Sequence, residues 1–299
     1  MATMLVLTGE QPLPLLLPIR FLKPERVIFL HSSKTKQTAS RVAILCGGVC
    51  EFITLPDVYD PERIRQRIED YLVPSETLNV NISGGTKMMT LAAVQAAKKC
   101  DADLVYLRTE GTRRRQQSRL ETLVLDQDRW IRVKSEVLPE LINLDDYLRV
   151  NIGHYQLADW QETAGTEFEI AVSRTLQPEV DEILCNVVPD GVKDQVEIDL
   201  LARCGNQVAV FEIKRGGRGS GKHAIDQLTT ASAREYLGTY ALRFLVTGAV
   251  RDQRFVNLAQ RMHIRVINLP AYQTGKTLSK QDRKTLLKTV GEYLALRAS

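Results

Sequence analysis

Three charged side chains in QVEIDLLARCGNQVAVFEIK, residues 195–214, have the types and spacing of a hydrolytic centre: Asp199, Glu212 and Lys214. Side chains alternate faces along a strand, so Glu212 and Lys214 point the same way. If Cys204-Gly205-Asn206 closes an antiparallel pair, Asp199 comes opposite them. Neighbouring carboxylates repel unless a cation separates them, and oxygen donors of this kind suit Mg²⁺ or Mn²⁺. Such a metal would polarise a scissile phosphate and lower the pKa of a bound water, with Lys214 orienting that water or stabilising the developing charge. The segment GTEFE adds a further carboxylate, Glu169, to the metal set of Asp199 and Glu212, and Gln227 on a later helix can reach the same edge. The alternative is a surface strand with ordinary alternating charges. The flanking Ile198, Leu200, Phe211 and Ile213 favour a buried sheet, where charged side chains need a partner or a metal.

A second candidate lies in NISGGTKMMTLAAVQAAKKC, residues 81–100, where a strand runs through Ser83-Gly84-Gly85 into a helix opened by Thr86 and Lys87. Backbone N–H groups and the helix dipole favour an anion there, glycine lets a ligand approach the backbone, and Lys87 adds charge. The GxxxxGK[ST] pattern of nucleotide hydrolases is absent. A glycine turn that only changes direction, with Thr86 as a helix cap, is the competing reading. A second loop, Thr8-Gly9-Glu10-Gln11, follows the first strand and belongs on the same edge of a parallel sheet. Two such loops on one edge describe a pocket.

Other motifs carry less. GGRGSGKH, residues 216–223, approaches a phosphate loop but ends in His223, without the magnesium-binding hydroxyl; a basic loop touching nucleic-acid backbone fits it better. Arg149 and His154 have an R-x-x-x-x-H spacing known from ribonucleases, with Gly153 interrupting the helix that it needs. Cys46 and Cys50 have no matching second pair for metal ligation, and five cysteines do not make a disulfide framework. Basic clusters at Arg113, Arg114, Arg115 and Arg119, and at Lys214, Arg215, Arg218 and Lys222, permit polyanionic partners; the formal net charge is only +4.

The elements that must position these residues follow from periodicity. MLVLTG, RVIFLH, EFITLP, TLNVNIS and ADLVYLR read as strands, alternating with helices around Lys36–Cys46, Pro61–Tyr71 and Thr86–Cys100. That alternation predicts an α/β, Rossmann-like domain with a mostly parallel sheet. TRRRQQSRLETLVLDQDRWIRV predicts an edge hairpin, and residues 141–160 a connector. Beyond it come a helix near 163–176, three consecutive strands, a helix near 224–237, a strand, a helix near 252–262, another strand and a helix from Ser279. This is an α/β domain with a mixed sheet around a three-strand meander. The organisation is thus 1–140, connector 141–160, and 161–299. The N-terminus lacks a signal-peptide pattern and no apolar run reaches membrane-spanning length, so a cytoplasmic protein without membrane association is expected.

TGEQPLPLLLPIRFLKPERV at the start, NISGGTKMM, and GTEFE, EID and FEIK with the later Gln227 together resemble the CRISPR-associated CARF-domain nucleases. In that family a CRISPR-associated Rossmann fold is fused to a PD-(D/E)xK restriction-endonuclease-like domain. The resemblance implies a homodimer that binds a cyclic oligoadenylate, most often cyclic tetraadenylate, made by a type III CRISPR complex, and then cleaves DNA or RNA with Mn²⁺ or Mg²⁺. It places Thr8, Gly9, Glu10, Gln11, Ser83, Gly84, Gly85, Thr86 and Lys87 around the activator, and Glu169, Asp199, Glu212, Lys214 and Gln227 in the nuclease site. The proline-aspartate of the motif is displaced, since Pro189-Asp190 lies well before Asp199. A sensor whose second domain binds nucleic acid without cutting it is the alternative from another class.

Overall fold

The computed structural model describes residues 2–71, 77–110, 117–160, 163–190, 197–216, 225–226, 228–229, 237–249, 253–275 and 277–297. They fall into two compact units, which part between Leu141 and Ile142. Among the described residues no helix is long and apolar enough to cross a membrane.

The first unit runs β1 (Ala2–Leu7), α1 (Leu13–Leu22), β2 (Arg26–His31), α2 (Lys36–Ile44), β3 (Val49–Thr54), α3 (Pro61–Glu69), β4 (Thr77–Asn81), α4 (Lys87–Cys100) and β5 (Asp103–Glu110), followed by the hairpin β6 (Gln117–Asp126) and β7 (Arg129–Val137). The strand order is β3-β2-β1-β4-β5-β6-β7. The first five strands are parallel and the last two antiparallel, as the alternation and the hairpin predict. The chain leaves β1 toward β2 and β3, then returns to add β4 on β1's other side. The switch point therefore lies between β1 and β4, the position at which open α/β sheets bind ligands beyond the strand ends. On one face, alanines 92, 93, 96 and 97 of α4 are fully buried, which lets that helix lie close to Leu5, Leu7 and Val80. Gln127 and Asp128 close the hairpin with positive φ at both positions, the two-residue geometry that matches strand twist.

α1 is missing from the periodicity reading. Its buried Leu13, Leu15, Leu16, Leu17 and Ile19 leave little polar face to mark a helical period, and Pro12, Pro14 and Pro18 read as breaks. Two of those prolines sit at the helix start, where proline is tolerated.

The second unit contains α5 (Leu144–Asn151), β8 (Tyr155–Leu157), α6 (Ala164–Leu176), β9 (Glu182–Pro189), β10 (Ile198–Cys204), β11 (Gln207–Lys214), β12 (Leu242–Thr247), α7 (Gln253–Arg261), β13 (Ile264–Asn268) and α8 (Lys280–Gly291). Its sheet order is β13-β12-β11-β10-β9-β8, with β8 to β11 antiparallel and β11 to β13 parallel. Phe168 and Val172 of α6, Leu286 and Val290 of α8, and the inward residues Leu200, Phe211, Ile213 and Phe244 form its core.

The segment expected to connect the domains is built into this second unit. Asn143 caps α5, the Leu144 N–H donates to Glu182 at 2.7 Å, and the fully buried Tyr147 donates its hydroxyl proton to the Leu237 carbonyl. α5 stops at Asn151 and Gly153 adopts φ +83°, so Arg149 and His154 do not share a helix; Arg149 pairs with Asp145 at 2.7 Å instead. Of the helix expected near 224–237, the described residues 225–226 and 228–229 are helical.

Candidate functional site

The first-unit site is built from the two loops that leave β1 and β4. Gly84 lies against the β1 end so tightly that a Cβ there would stand 2.3 Å from the Leu7 carbonyl oxygen and 2.8 Å from Leu15 Cδ2. A Cβ at Gly9 would stand 3.0 Å from the Gly85 backbone nitrogen, and Gly85 itself has φ +76°. The loops thus touch backbone to backbone, and side chains are excluded from the contact. Asn81, fully buried, braces them: its amide donates to the Pro14 carbonyl at 3.0 Å and its oxygen accepts from the Ser83 N–H at 3.0 Å. Ser83 Oγ accepts from the Leu107 N–H at 2.7 Å. Asn81 is a site-shaping residue that strand alternation does not reveal.

Thr86 is the N-cap of α4. Its hydroxyl accepts from the Met89 N–H at 3.1 Å and donates to the Val58 carbonyl at 2.9 Å, so it serves the frame of the cup. Lys87, the first residue of α4, is exposed, as are Gly85 and Glu10; Gly9, Gln11 and Ser83 are half-buried. Thr8 is only 2% exposed, and its hydroxyl has no partner among the described residues. A buried hydroxyl, exposed glycine backbone and a helix N-terminus on these two adjoining loops suit an anionic, hydrogen-bonding ligand.

The second-unit site sits where β10 begins and β11 ends. The β10–β11 register pairs Leu200 with Phe211, and one step further Asp199 lies opposite Glu212, on the same side of the sheet. Phe211 and Ile213 turn into the core and leave Glu212 and Lys214 on the other face. Lys214 Nζ stands 3.1 Å from Asp199 Oδ2 and 2.8 Å from Glu212 Oε1. Asp199 Oδ2 also accepts from the Ile213 N–H at 2.6 Å. Asp199 and Glu212 are buried, whereas the Lys214 side chain keeps 29% exposure.

Burial sets the charge balance. It pushes the Glu212 carboxyl up to about 8, with Asp199 adding to the rise. Burial likewise raises Asp199, against the pull of Lys214 and the Ile213 N–H. Glu169 on α6 is pushed to about 7, first by burial and then by Asp199, which places it within electrostatic reach of the pair. Burial alone would lower Lys214, but Asp199 and Glu212 overcome it and hold the ammonium protonated. Next to the pair, Asn186 on β9 takes a left-handed φ of +53° opposite Asp199, and Cys185 is raised by burial, with Glu169 and Asp199 contributing.

Among the described residues no three acidic, histidine or cysteine side chains stand close enough to hold a metal ion; the ammonium of Lys214 occupies the bridging position between Asp199 and Glu212. The donor set nevertheless fits a hard divalent cation. Its donors are all carboxylate oxygens, and with Asp199 and Glu212 both ionised the single ammonium leaves an uncompensated negative charge. Gln227, Arg113, Arg114, Arg115, Arg218, Lys222 and His223 lie outside the described residues. Arg119 donates to Ser135, while Arg108 and Arg132 pair with the buried Glu121 at 3.1 and 3.5 Å.

No protein-family model matches the chain, and no curated protein matches it in sequence. Solved structures do match in fold. Can2 from Sulfobacillus thermosulfidooxidans, in complex with cyclic tetra-adenylate, is similar at a TM-score of 0.74 and 15% identity, over 96% of this chain and 98% of that one. Protein VC1899 from Vibrio cholerae is similar at 0.73 and 12% identity, over 97% of each chain. A type III CRISPR defence DNA nuclease activated by cyclic oligoadenylate is similar at 0.59 and 14% identity, over 96% of this chain and 51% of that one. The two-unit architecture, one sheet largely parallel and the other mixed, is the fold of these proteins.

Proposed function

We propose that this chain, which shares the fold of Can2, is a CARF-domain effector of type III CRISPR defence: a homodimeric nuclease switched on by a cyclic oligoadenylate, with cyclic tetraadenylate as the candidate ring. The observation that carries the enzymatic reading is the convergence of Asp199, Glu212 and Lys214 on one face of paired strands beside Glu169. The glycine cup of Thr8, Gly9, Glu10, Gln11, Ser83, Gly84, Gly85, Thr86 and Lys87 supplies the activator site in this reading. An isologous dimer presents that cup twice, which suits a ring with repeated nucleotides. Activation then requires the ring to bind the cleaving arrangement more tightly than the resting one.

In the nuclease site, Asp199 and Glu212, with Glu169 as a third donor, would hold Mg²⁺ or Mn²⁺, which polarises the scissile phosphate and lowers the pKa of a bound water. Lys214 orients the attacking water and stabilises negative charge as it develops on the phosphate. Glu169, titrating near neutrality, is suited to hold a proton released in the reaction. Gln227 completes the family motif as a substrate-positioning side chain.

Protons and metal compete for these carboxylates. Glu212 and Glu169 titrate at about 8 and about 7, above the ordinary glutamate value, so in the metal-free protein they favour the fold when protonated. That contribution is complete below about pH 4.3 and is lost as pH rises through their folded values. Metal-free stability is therefore expected to fall between pH 6 and 8.5, and Mn²⁺ to raise the melting temperature more at pH 8.5 than at pH 6, releasing protons as it binds. Thermal unfolding at both pH values with and without Mn²⁺ checks this; an equal Mn²⁺ shift at both would contradict it.

A second reading, a ligand-gated regulator that holds nucleic acid without cutting it, is favoured by one feature: Lys214 already bridges the carboxylates, and among the described residues no three-ligand cage is preformed. Incubation of the protein with Mn²⁺, cyclic tetraadenylate and a mixture of labelled DNA and RNA separates the two. Ring-dependent fragments support the nuclease; retention of intact nucleic acid with the ring present supports the regulator.

A further inference from the structure

The glycine cup has a neighbour outside its two motifs. Thr86 Oγ1 donates to the Val58 carbonyl at 2.9 Å, tying the loop between β3 and α3 to the start of α4. Val58 packs onto the core of the first unit, which anchors that loop from beneath. The next residue, Tyr59, is 71% exposed. Its backbone is held on both sides: the Tyr59 N–H donates to Asp57 Oδ1 at 2.8 Å, and Asp60 caps α3 by accepting from the Arg63 N–H at 3.1 Å. A large ring thus stands in solvent on a braced backbone, one residue from a contact with the cup.

The charges around it decide what it can bind. Asp57 and Asp60 flank Tyr59; Asp60 pairs with Arg63 at 3.2 Å, so it is chiefly the Asp57 carboxylate that repels a phosphate at that point. The phosphate-favouring features, Lys87 and the amides of Gly84 and Gly85, belong to the turn between β4 and α4 that Thr86 closes. A nucleotide spanning the two would set its phosphate on the glycine turn and its uncharged base toward the tyrosine. Resting on the reading of the cup as a nucleotide site, we infer that Tyr59 is a base-stacking residue, whose ring covers the face of an adenine of the bound cyclic oligoadenylate. An aromatic platform holds any base through its π face, so Tyr59 supplies affinity, and discrimination among bases is left to hydrogen-bonding groups.

Titration of cyclic tetraadenylate into the full-length protein and its variants tests this. Tyr59→Ala is expected to weaken binding about five- to a hundredfold, the range of one base–aromatic stack, at unchanged melting temperature. Tyr59→Phe, which keeps the ring, is expected to bind within about twofold of wild type, since stacking uses the π face and not the hydroxyl. In Tyr59→Trp the added indole emission is quenched on binding, after subtraction of the wild-type signal from its two native tryptophans. Wild-type affinity in Tyr59→Ala, or no added quenching in Tyr59→Trp, overturns the inference. Gly84→Ala separates the two levels. If wild type binds, Gly84→Ala does not, and Tyr59→Ala binds normally, the cup stands and the stack is refuted; if wild type itself does not bind, both fall.

Discussion

Glu212→Ala and Lys214→Ala are each expected to lower ring-activated cleavage by at least about a hundredfold while leaving the affinity for cyclic tetraadenylate at its wild-type value. Glu212 is a carboxylate donor and Lys214 the ammonium that faces both carboxylates, so neither has a substitute within the described residues. Stability separates the two variants. Lys214→Ala strands two buried carboxylates without a counter-charge, and breaking a buried pair costs about 3–5 kcal/mol, reduced here because the lysine side chain keeps 29% exposure. Above about pH 8, where Glu212 is ionised, Glu212→Gln removes the surplus buried charge and leaves a neutral Asp199–Lys214 pair, so the metal-free protein is expected there to melt no lower than wild type. Cleavage assays, ring titration and thermal unfolding on the same preparations check all three parts. Full activity in both variants would refute the site.

Gly84→Ala is expected to abolish ring binding, and with it activation. The new Cβ would lie 2.3 Å from the Leu7 carbonyl, 2.8 Å from Leu15 Cδ2 and 3.1 Å from the Gly9 nitrogen, and the carbonyl and the nitrogen are backbone atoms that yield only if the loops separate. Overpacking of this kind costs about 1–3 kcal/mol, so the variant should fold with a lowered melting temperature. Gly47→Ala is the control. Gly47, unlike Gly84, has a positive φ, +76°, but nothing within 4 Å of its Cβ position, and it lies before β3, at the opposite end of the strand from the cup edge. It should lose about 1–2 kcal/mol from left-handed strain and bind the ring normally. Equal binding by Gly84→Ala and Gly47→Ala, measured by calorimetry, would remove the cup from activator recognition.

Much of this arrangement is legible in local sequence because it depends on period two and on short turns. Glu212 and Lys214 share a face by alternation, and the tight Gly205-Asn206 turn fixes which residue of β10 meets them. The apolar runs of β1, β2 and β10 announce buried strands, and the parallel pairing of the first unit's five leading strands follows from alternating strands and helices. What escapes is held by contacts between distant residues or by helices without a polar stripe. α1 is hidden by its prolines and its buried leucines. Residues 144–151 look like a polar connector, yet Tyr147 reaches the Leu237 carbonyl, 90 positions away. The bracing of the glycine loops by Asn81 depends on Pro14, 67 positions earlier, and the tie from Thr86 to Val58 spans 28. Nor does alternation show that Lys214 would bridge both carboxylates, since that depends on how far a long side chain bends back along the strand.

The most direct measurement is the rate at which the wild-type protein cuts labelled DNA and RNA at fixed Mn²⁺, with and without cyclic tetraadenylate. Cutting that appears with the ring, and disappears when Mn²⁺ is chelated, is the predicted result. No cutting under any of these conditions by protein that demonstrably binds the ring, or cutting that proceeds equally without ring or metal, would contradict a ligand-switched, carboxylate-based nuclease.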